Sequence, residues 1–100
     1  MYSVKFSEIA NQDLVDIFDL IAKDKPSIAI EYIDKLETII DLLSDNPRLG
    51  VECKNKNINK DCRILVFENY LIFYKIIDNE IQIARILNSK IDYTKIIKKI

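Results

Sequence analysis

The feature that most constrains this chain is the stretch from Arg63 to Leu87. Three runs rich in Ile, Val, Phe, Tyr and Leu follow one another there, separated by the pairs Glu68-Asn69 and Asp78-Asn79. β-Branched and aromatic runs of this length, bounded by turn-forming residues, are typical of strands. Each polar pair is long enough for a two-residue hairpin loop, in which Asn and Asp tolerate positive φ. The stretch therefore predicts a three-stranded antiparallel meander.

Two-residue loops would place Phe67 opposite Tyr70 and Ile77 opposite Glu80, and this register assigns every side chain to a sheet face. The first face would carry Arg63, Leu65, Phe67, Tyr70, Ile72, Tyr74, Ile76, Ile81, Ile83, Arg85 and Leu87. The second would carry Ile64, Val66, Leu71, Phe73, Lys75, Gln82, Ala84 and Ile86. Both faces are largely apolar, so both require a cover.

A short strand and two amphipathic helices are predicted before the meander. Tyr2–Phe6 alternates large and polar residues, which predicts a strand at one edge of the sheet. Ser7 is a good N-cap, and apolar residues recur at helical spacing from there to about Lys23. Proline is favoured at the first helical position, so a second helix is expected to begin at Pro26 and to run to about Leu43.

The rest of the chain completes one domain. A polar loop is expected from Glu52 to Asp61, and a short C-terminal helix from Asp92 to Ile100. The pattern predicts a single α+β domain, residues 1–100, of order β-α-α-β-β-β, in which a helical hairpin packs on an antiparallel sheet and a short helix follows.

Two helices can cover only one face of such a sheet. We therefore expect a partner chain on the other face, as a helix laid in a groove or as an added strand. Charged side chains are rarely fully buried, so the face that carries Arg63 and Arg85 is the expected partner side. The alternative for Arg63 is a structural contact with Tyr74, which would lie opposite it across the strand pair.

Composition excludes several classes of protein. No apolar run approaches the ~18 residues that span a bilayer, and the N-terminus lacks the layout of a signal peptide, so we expect a cytoplasmic protein with no membrane contact. Cys53 and Cys62 are expected to be reduced thiols, and a disulfide closing the loop between them is the alternative. The chain has no His and its two Cys lack a second pair, so neither a metal site nor a cofactor is expected.

The net charge of −1 hides an asymmetry between the two halves of the chain. Residues 1–50 hold five Lys and Arg against ten Asp and Glu, whereas residues 51–100 hold ten against six. The basic second half could attract phosphates or an acidic partner, or its lysines could simply keep the surface soluble.

Motifs along nearly the whole chain point to one family. They comprise Ala10, Asp13, Leu14, Ile17 and Ile21 in the first helix, Ser44 and Asn46 to Gly50 after the second, Arg63, Leu65, Val66 and Asn69 to Tyr74 in the meander, and Arg85 and Leu87 in its last strand. In order and spacing they resemble the RelE/ParE toxins of bacterial type II toxin–antitoxin systems. The family often continues with a His-Gly-Arg-Arg-Asp type of sequence, where this chain has Asn88 to Tyr93, and only Lys90, Asp92 and Tyr93 resemble it.

The resemblance implies a toxin of the ParE-like branch, which poisons DNA gyrase by binding, takes part in plasmid stabilization and is neutralised by a cognate antitoxin. A homodimer and a heterotetramer with the antitoxin are the assemblies considered. The expected partner-binding residues are Arg63, Tyr74, Arg85 and Lys90, and the C-terminal lysine cluster, Lys95, Lys98 and Lys99, is a further expected contact.

A RelE-like ribosome-dependent mRNA endonuclease is the alternative. Cleavage by the 2′-hydroxyl needs a proton acceptor, a proton donor and cations at the phosphorane. The candidates are Lys54, Lys56, Arg85 and Tyr93. A third interpretation is a non-toxic module that only binds an antitoxin.

Overall fold

The structure is a computed structural model that describes residues 1–56, 58 and 60–98, with Lys56 described by its backbone alone. Its elements are β1 (Ser3–Phe6), α1 (Glu8–Ala22), α2 (Pro26–Asp41), β2 (Val51–Glu52), β3 (Arg63–Phe67), β4 (Tyr70–Ile77), β5 (Glu80–Asn88) and α3 (Thr94–Ile97). Short 3-10 turns occupy Leu42–Ser44 and Cys53–Lys56. The predicted α+β fold is confirmed. None of the helices in the described part of the chain is long and apolar enough to cross a membrane.

The five strands form one mixed sheet in the order β1-β5-β4-β3-β2. The pairs β2–β3, β3–β4 and β4–β5 are antiparallel. The pair β1–β5 is parallel, and the helices and the other strands lie between these two in the sequence. Both two-residue hairpins have the predicted register, with Phe67 opposite Tyr70 and Ile77 opposite Glu80.

The pairing of β4 with β5 is interrupted by a β-bulge at Ala84. Phe73 lies opposite Arg85, but its neighbour Tyr74 lies opposite Ile83, so Ala84 is an extra residue on β5. Because side chains alternate between faces, one extra residue moves every later side chain to the other face.

The predicted face assignment is therefore right as far as Ile83 and wrong beyond it. Ile86 packs in the core beneath the helices, whereas Leu87 packs on the opposite side of the sheet with Phe73. Strict alternation fails here because the register slips by one residue at the bulge.

We call the sheet surface beneath α1 and α2 the inner face. Its buried core comprises Ala10, Ile17, Leu36, Ile40, Leu43, Leu65, Tyr70, Ile72, Tyr74, Ile81, Ile83 and Ile86. The expectation of a partner on this face is wrong, because the helical hairpin covers it. Arg63 is at the first position of β3, where its head reaches the rim, and Arg85 follows the bulge, so neither charge marks a solvent-facing surface.

The opposite surface, the outer face, is covered in part by the chain itself. Ile64, Phe73 and Leu87 are buried there beneath Cys53, Cys62 and Ile97. This second cluster leaves the portion of the outer face on β5 and β1 without such a cover.

A Cys53–Cys62 disulfide closes the loop between β2 and β3, so the expectation of two reduced thiols is wrong. The pairing of β2 with β3 explains it: Glu52 lies opposite Arg63, and the next pair along the ladder is Cys53 with Cys62. Their Cα atoms are 5.3 Å apart, and the N–H of Cys53 donates to the carbonyl of Cys62 at 2.9 Å. This geometry suits a disulfide.

The C-terminal helix is a single turn, Thr94–Ile97, shorter than predicted. The Asp92 carboxylate accepts from the backbone N–H of Thr94 at 3.3 Å and from its hydroxyl at 2.6 Å, as expected of a residue that starts a helix. Ile97 anchors the turn on the outer face with 1% exposure. The predicted residues Lys99 and Ile100 lie outside the described part of the chain.

Candidate partner-binding surface

Arg85 is held by a carboxylate from the first helix. Its Nε donates to Oδ2 of Asp13 at 2.9 Å and its Nη2 donates to Oδ1 at 3.0 Å. The N–H of Ile86 donates to the same Oδ2 at 2.9 Å, so the buried carboxylate ties α1 to β5 just after the bulge. The hydrogen bonds that the Arg85 guanidinium donates to Asp13 raise its pKa above its ordinary value. Two of the nitrogens of Arg85 are thereby engaged inside the fold.

Tyr74 and Arg63 hold the loop that precedes β2. The Tyr74 hydroxyl accepts from the N–H of Gly50 at 2.9 Å and donates to the carbonyl of Pro47 at 2.7 Å. Arg63 Nη1 donates to the carbonyl of Gly50 at 2.6 Å, and Nη2 lies 3.5 Å from the Glu52 carboxylate. Arg63 and Tyr74 are cross-strand neighbours, as the sequence predicts. The buried phenol has its pKa raised by desolvation.

The loop before β2 can approach Tyr74 this closely because Gly50 has no side chain. A Cβ there would lie 2.7 Å from the carbonyl oxygen of Ile64 and 2.8 Å from Cε1 of Tyr74. The Asn-Pro-Arg-Leu-Gly motif therefore ends on the one residue that lets the loop lie against β3 and β4.

The residues expected to cleave RNA are engaged with separate neighbours. Lys54 Nζ lies 3.0 Å from a Glu52 oxygen, and this contact lowers the pKa of Glu52. The Tyr93 ring packs on Phe73 with centroids 5.6 Å apart. Among the described side chains, Lys54, Arg85 and Tyr93 form no hydrogen bond with one another, and the side chain of Lys56 lies outside the description.

Lys90, the remaining predicted contact residue, lies in the turn after β5. Its backbone N–H donates to the Asn88 side chain at 2.8 Å, and Lys90 itself is exposed. This turn does not link Lys90 to the other predicted contact residues, so its role in partner binding stays a prediction.

A groove of about 880 Å³ lies on the uncovered part of the outer face. Its apolar lining residues are Phe6, Ile9, Ile83, Ala84 and Ile96, of which Phe6 and Ile83 also pack in the inner core, and its charged and polar lining residues are Lys5, Ser7, Lys75, Glu80, Gln82, Arg85 and Lys95. We call it the outer groove.

The outer groove is basic at its rim. Lys5, Lys75 and Lys95 have no carboxylate within salt-bridge distance in the described part of the chain, whereas Glu80 accepts a hydrogen bond from Gln82 at 2.9 Å. The predicted contact residues did not include Lys5 or Lys75, whereas Lys95 belongs to the predicted C-terminal lysine cluster. Lys5 could have been found from its outward position in the alternating first strand, but Lys75 and Lys95 become its neighbours only through the pairing of β1 with β5.

The edge of β1 that faces away from β5 is bonded to Ser44 at Tyr2, whose N–H donates to the Ser44 carbonyl at 2.9 Å, and is open at Val4 and Phe6 within the described residues. Ser3 donates to the carbonyl of Asn79 at 3.1 Å and Ser7 to that of Ile83 at 2.9 Å, so the backbone groups of alternate residues face β5. Those of Val4 and Phe6 point away from the sheet, where β1 is the terminal strand.

A second, smaller groove of about 400 Å³ lies at the opposite sheet edge. It is lined by Ile39, Leu42, Leu49, Gly50, Val51, Ile64, Leu65 and Val66. It has no charged lining residue, and Val66 is 56% exposed there. No group of three or more His, Cys, Asp or Glu among the described residues could hold a metal ion.

Comparison with known proteins agrees with this architecture. Residues 4–93 match the family model of the ParE toxin of the type II toxin–antitoxin system, parDE. No curated protein sequence matches significantly. The fold is similar to a chain of the solved structure "Chromosomal ParDE TA system from P. aeruginosa", with a TM-score of 0.75 and 23% identity, covering 90% of this chain and 98% of that one. The chain therefore belongs to the ParE toxin family of type II toxin–antitoxin systems.

Proposed function

We propose that this chain acts by binding DNA gyrase, without chemistry of its own, and that a cognate antitoxin neutralises it by occupying the outer groove. Membership of the ParE family supports the general role of a toxin. The observation that carries the proposal of a bound antitoxin is the outer groove. It combines an apolar floor with lysines that lack carboxylate partners in the described residues.

The chemistry of the outer groove defines the antitoxin segment that it would accept. Lys5, Lys75 and Lys95 favour acidic side chains, and the floor favours one or two large apolar ones. The open edge at Val4 and Phe6 favours an extended backbone that adds to the sheet. An acidic, extended segment with apolar anchors satisfies all three features.

The RNA-cleaving alternative receives less support from the side-chain geometry. Arg85 donates two hydrogen bonds to Asp13, Lys54 is paired with Glu52, and the Tyr93 ring packs on Phe73. A concerted cleavage would need a base, an acid and a cation around one phosphate. These three residues would have to leave their present neighbours to provide them.

The target is tested with two assays run side by side. We expect the purified chain to inhibit supercoiling by gyrase and to leave translated mRNA intact. The triple variant Arg85→Ala, Lys54→Ala, Tyr93→Phe should remain toxic if it folds, which circular dichroism checks. The gyrase proposal would be overturned if the parent chain cleaved mRNA in a translation assay and the folded triple variant did not. A chain that affects neither target would support the non-toxic alternative.

The antitoxin site is tested with charge reversal. The variant Lys5→Glu, Lys75→Glu, Lys95→Glu should bind the antitoxin encoded in the neighbouring reading frame more weakly than the parent. A matched control, Lys23→Glu, Lys25→Glu, Lys35→Glu, makes the same change in net charge on the exposed side of the helical hairpin. Equal affinity of both variants would rule out the outer groove. Light scattering of the complex distinguishes a heterotetramer from other assemblies.

A further inference from the structure

The disulfide lies directly beneath the C-terminal helix. Cys53 is fully buried and Cys62 is 5% exposed, and both pack with Ile97 of α3. Lys60, inside the loop that the disulfide closes, donates from Nζ to the carbonyl of Lys98 at 3.0 Å. The closed loop therefore supports α3 through an apolar contact and through a hydrogen bond.

The same helix forms one wall of the outer groove. Lys95 and Ile96 line the outer groove, whereas Ile97, the next residue, points into the cluster with the disulfide. A change in the position of α3 would therefore alter the groove directly. Within the described chain, α3 has only four residues, so its own helical hydrogen bonds cannot hold it in place without the contacts beneath it.

We propose that the Cys53–Cys62 disulfide is a redox-dependent clasp that holds α3 on the outer face and thereby controls the wall of the outer groove. In the oxidised chain the loop is closed and α3 is docked. In the reduced chain the loop opens, α3 leaves the sheet and the cluster around Phe73 is exposed. The effect of the clasp on partner binding rests on the proposed function. The opening of α3 on reduction does not.

The redox step is thiol–disulfide exchange with a dithiol. A thiolate of the reductant attacks Sγ of Cys62, the less buried of the two cysteines, and the Cys53 thiolate leaves. The second thiol of the reductant then releases Cys62. Two electrons and two protons pass from the dithiol to the two cysteines, and the reductant becomes a cyclic disulfide.

The surroundings of Cys62 favour an anionic attacking group. A cleft of about 560 Å³ leads to it, and its charged lining comprises Arg48, Lys54, Lys60, Arg63, Lys75, Glu52 and Asp61. Cations outnumber carboxylates there by five to two. A positive setting raises the local concentration of a thiolate.

Limited trypsin digestion of the full chain tests the clasp. Cleavage after Lys95, in α3, should be about tenfold faster in dithiothreitol than after oxidation with oxidised glutathione, because the bond becomes accessible by local opening. Cleavage after Lys35, in the middle of α2, should not change. The variant Cys53→Ala, Cys62→Ala should match the reduced chain with or without dithiothreitol.

Three results would overturn the clasp. The first is equal cleavage after Lys95 in both redox states. The second is a parallel rise after Lys35, or a double variant that does not fold, since the disulfide would then support the whole fold. The third is two titratable thiols that persist in oxidised glutathione.

Antitoxin affinity is measured separately in both redox states. A tenfold difference would show that the clasp controls partner binding, and equal affinity with a confirmed clasp would reject only that link.

Discussion

At the scale of single residues, the most informative side chain is Asp13. Asp13 lies among the apolar residues of α1 and is only 8% exposed, a position that normally disfavours a carboxylate. It accepts three hydrogen bonds from β5. A buried charge of this kind is tolerated when its partners are supplied in good geometry. The three bonds explain why α1 of this chain carries an acid on its inner side.

Replacing Asp13 by Ala should lower the free energy of unfolding by about 2–4 kcal/mol, because it leaves the Arg85 guanidinium and the Ile86 N–H without their acceptor. Urea denaturation measures the change. Asp16→Ala is the matched control, since Asp16 is exposed on the same helix and, among the described residues, bonds only to Gln12. This variant should stay within about 0.5 kcal/mol of the parent. Equal effects of the two variants would contradict a structural role for Asp13.

Two tyrosines make stability sensitive to alkaline pH. Burial, followed by the charge of Glu68, raises the pKa of Tyr32 from 10.0 to about 12, and burial raises that of Tyr74 as well. The folded chain keeps these protons at a pH where the unfolded chain has lost them. Their contribution to stability is complete below pH 10 and is lost as the pH rises from 10 towards 12.

We therefore expect the free energy of unfolding to fall from pH 10 to pH 12, and to fall less steeply in Tyr32→Phe. Denaturation at several pH values measures the slope, and absorbance at 295 nm follows the phenolates. The variant and the parent should have the same slope between pH 7 and pH 9. A Tyr32 phenol that ionises at its ordinary pKa would refute the expectation.

At the scale of elements, the hairpins could be predicted because they depend on local sequence. The bulge and the disulfide could not, because they depend on pairing between distant parts of the chain. Glu68-Asn69 and Asp78-Asn79 interrupt apolar runs, so both loops and their registers could be found from the sequence. The bulge could not, because Ile83 to Leu87 continues without a turn signal. The disulfide also depended on β2, whose two residues are too few to form a pattern.

The site residues illustrate the same limit. Arg63 and Tyr74 were predicted as neighbours from the hairpin register, and they are. Their bonds to the loop that ends at Gly50 could not be predicted, because that loop precedes β2 and returns to the sheet only in three dimensions. The outer groove was missed for a related reason: Lys5 and Lys95 are at opposite ends of the chain.

Deletion of Ala84 tests the bulge as an element. Because Ala84 is the extra residue, its deletion should leave Ile83 opposite Tyr74 and Arg85 opposite Phe73, so every later side chain keeps its face. We expect the free energy of unfolding to fall by no more than about 1 kcal/mol, measured by thermal denaturation, because only the local backbone changes. Deletion of Ser89, which is exposed beyond the last strand, is the control. Loss of cooperative unfolding in the Ala84 deletion alone would show that the fold requires the bulge itself.

At the scale of the whole molecule, the chain is a thin body of 37 × 32 × 22 Å. The shortest dimension has room for one helical layer on one sheet, so the outer face lies at the surface wherever α3 and the disulfide loop do not reach. The surplus of cations falls in residues 51–100, which supply β2 to β5 and α3, and the acidic residues of 1–50 are mostly carried by α1 and α2.

This separation of charge predicts salt-dependent association with an acidic antitoxin. The association rate should decrease with rising ionic strength, and Lys5→Glu, Lys75→Glu, Lys95→Glu should slow it about tenfold at low salt. Stopped-flow fluorescence measures the rate, and the helix-side triple reversal serves as the control. A rate that does not respond to salt would show that apolar contact alone drives the encounter.

The parallel pairing of β1 with β5 also has a consequence during protein synthesis. The first strand of the chain has no neighbour in the sheet until the last strand, Glu80–Asn88, has left the ribosome. Lys5 and Lys95 come together only then, so a nascent or prematurely terminated chain has no outer groove. A cell that makes this protein therefore carries no binding surface of this kind on unfinished copies, and an antitoxin that recognises the groove engages completed chains alone.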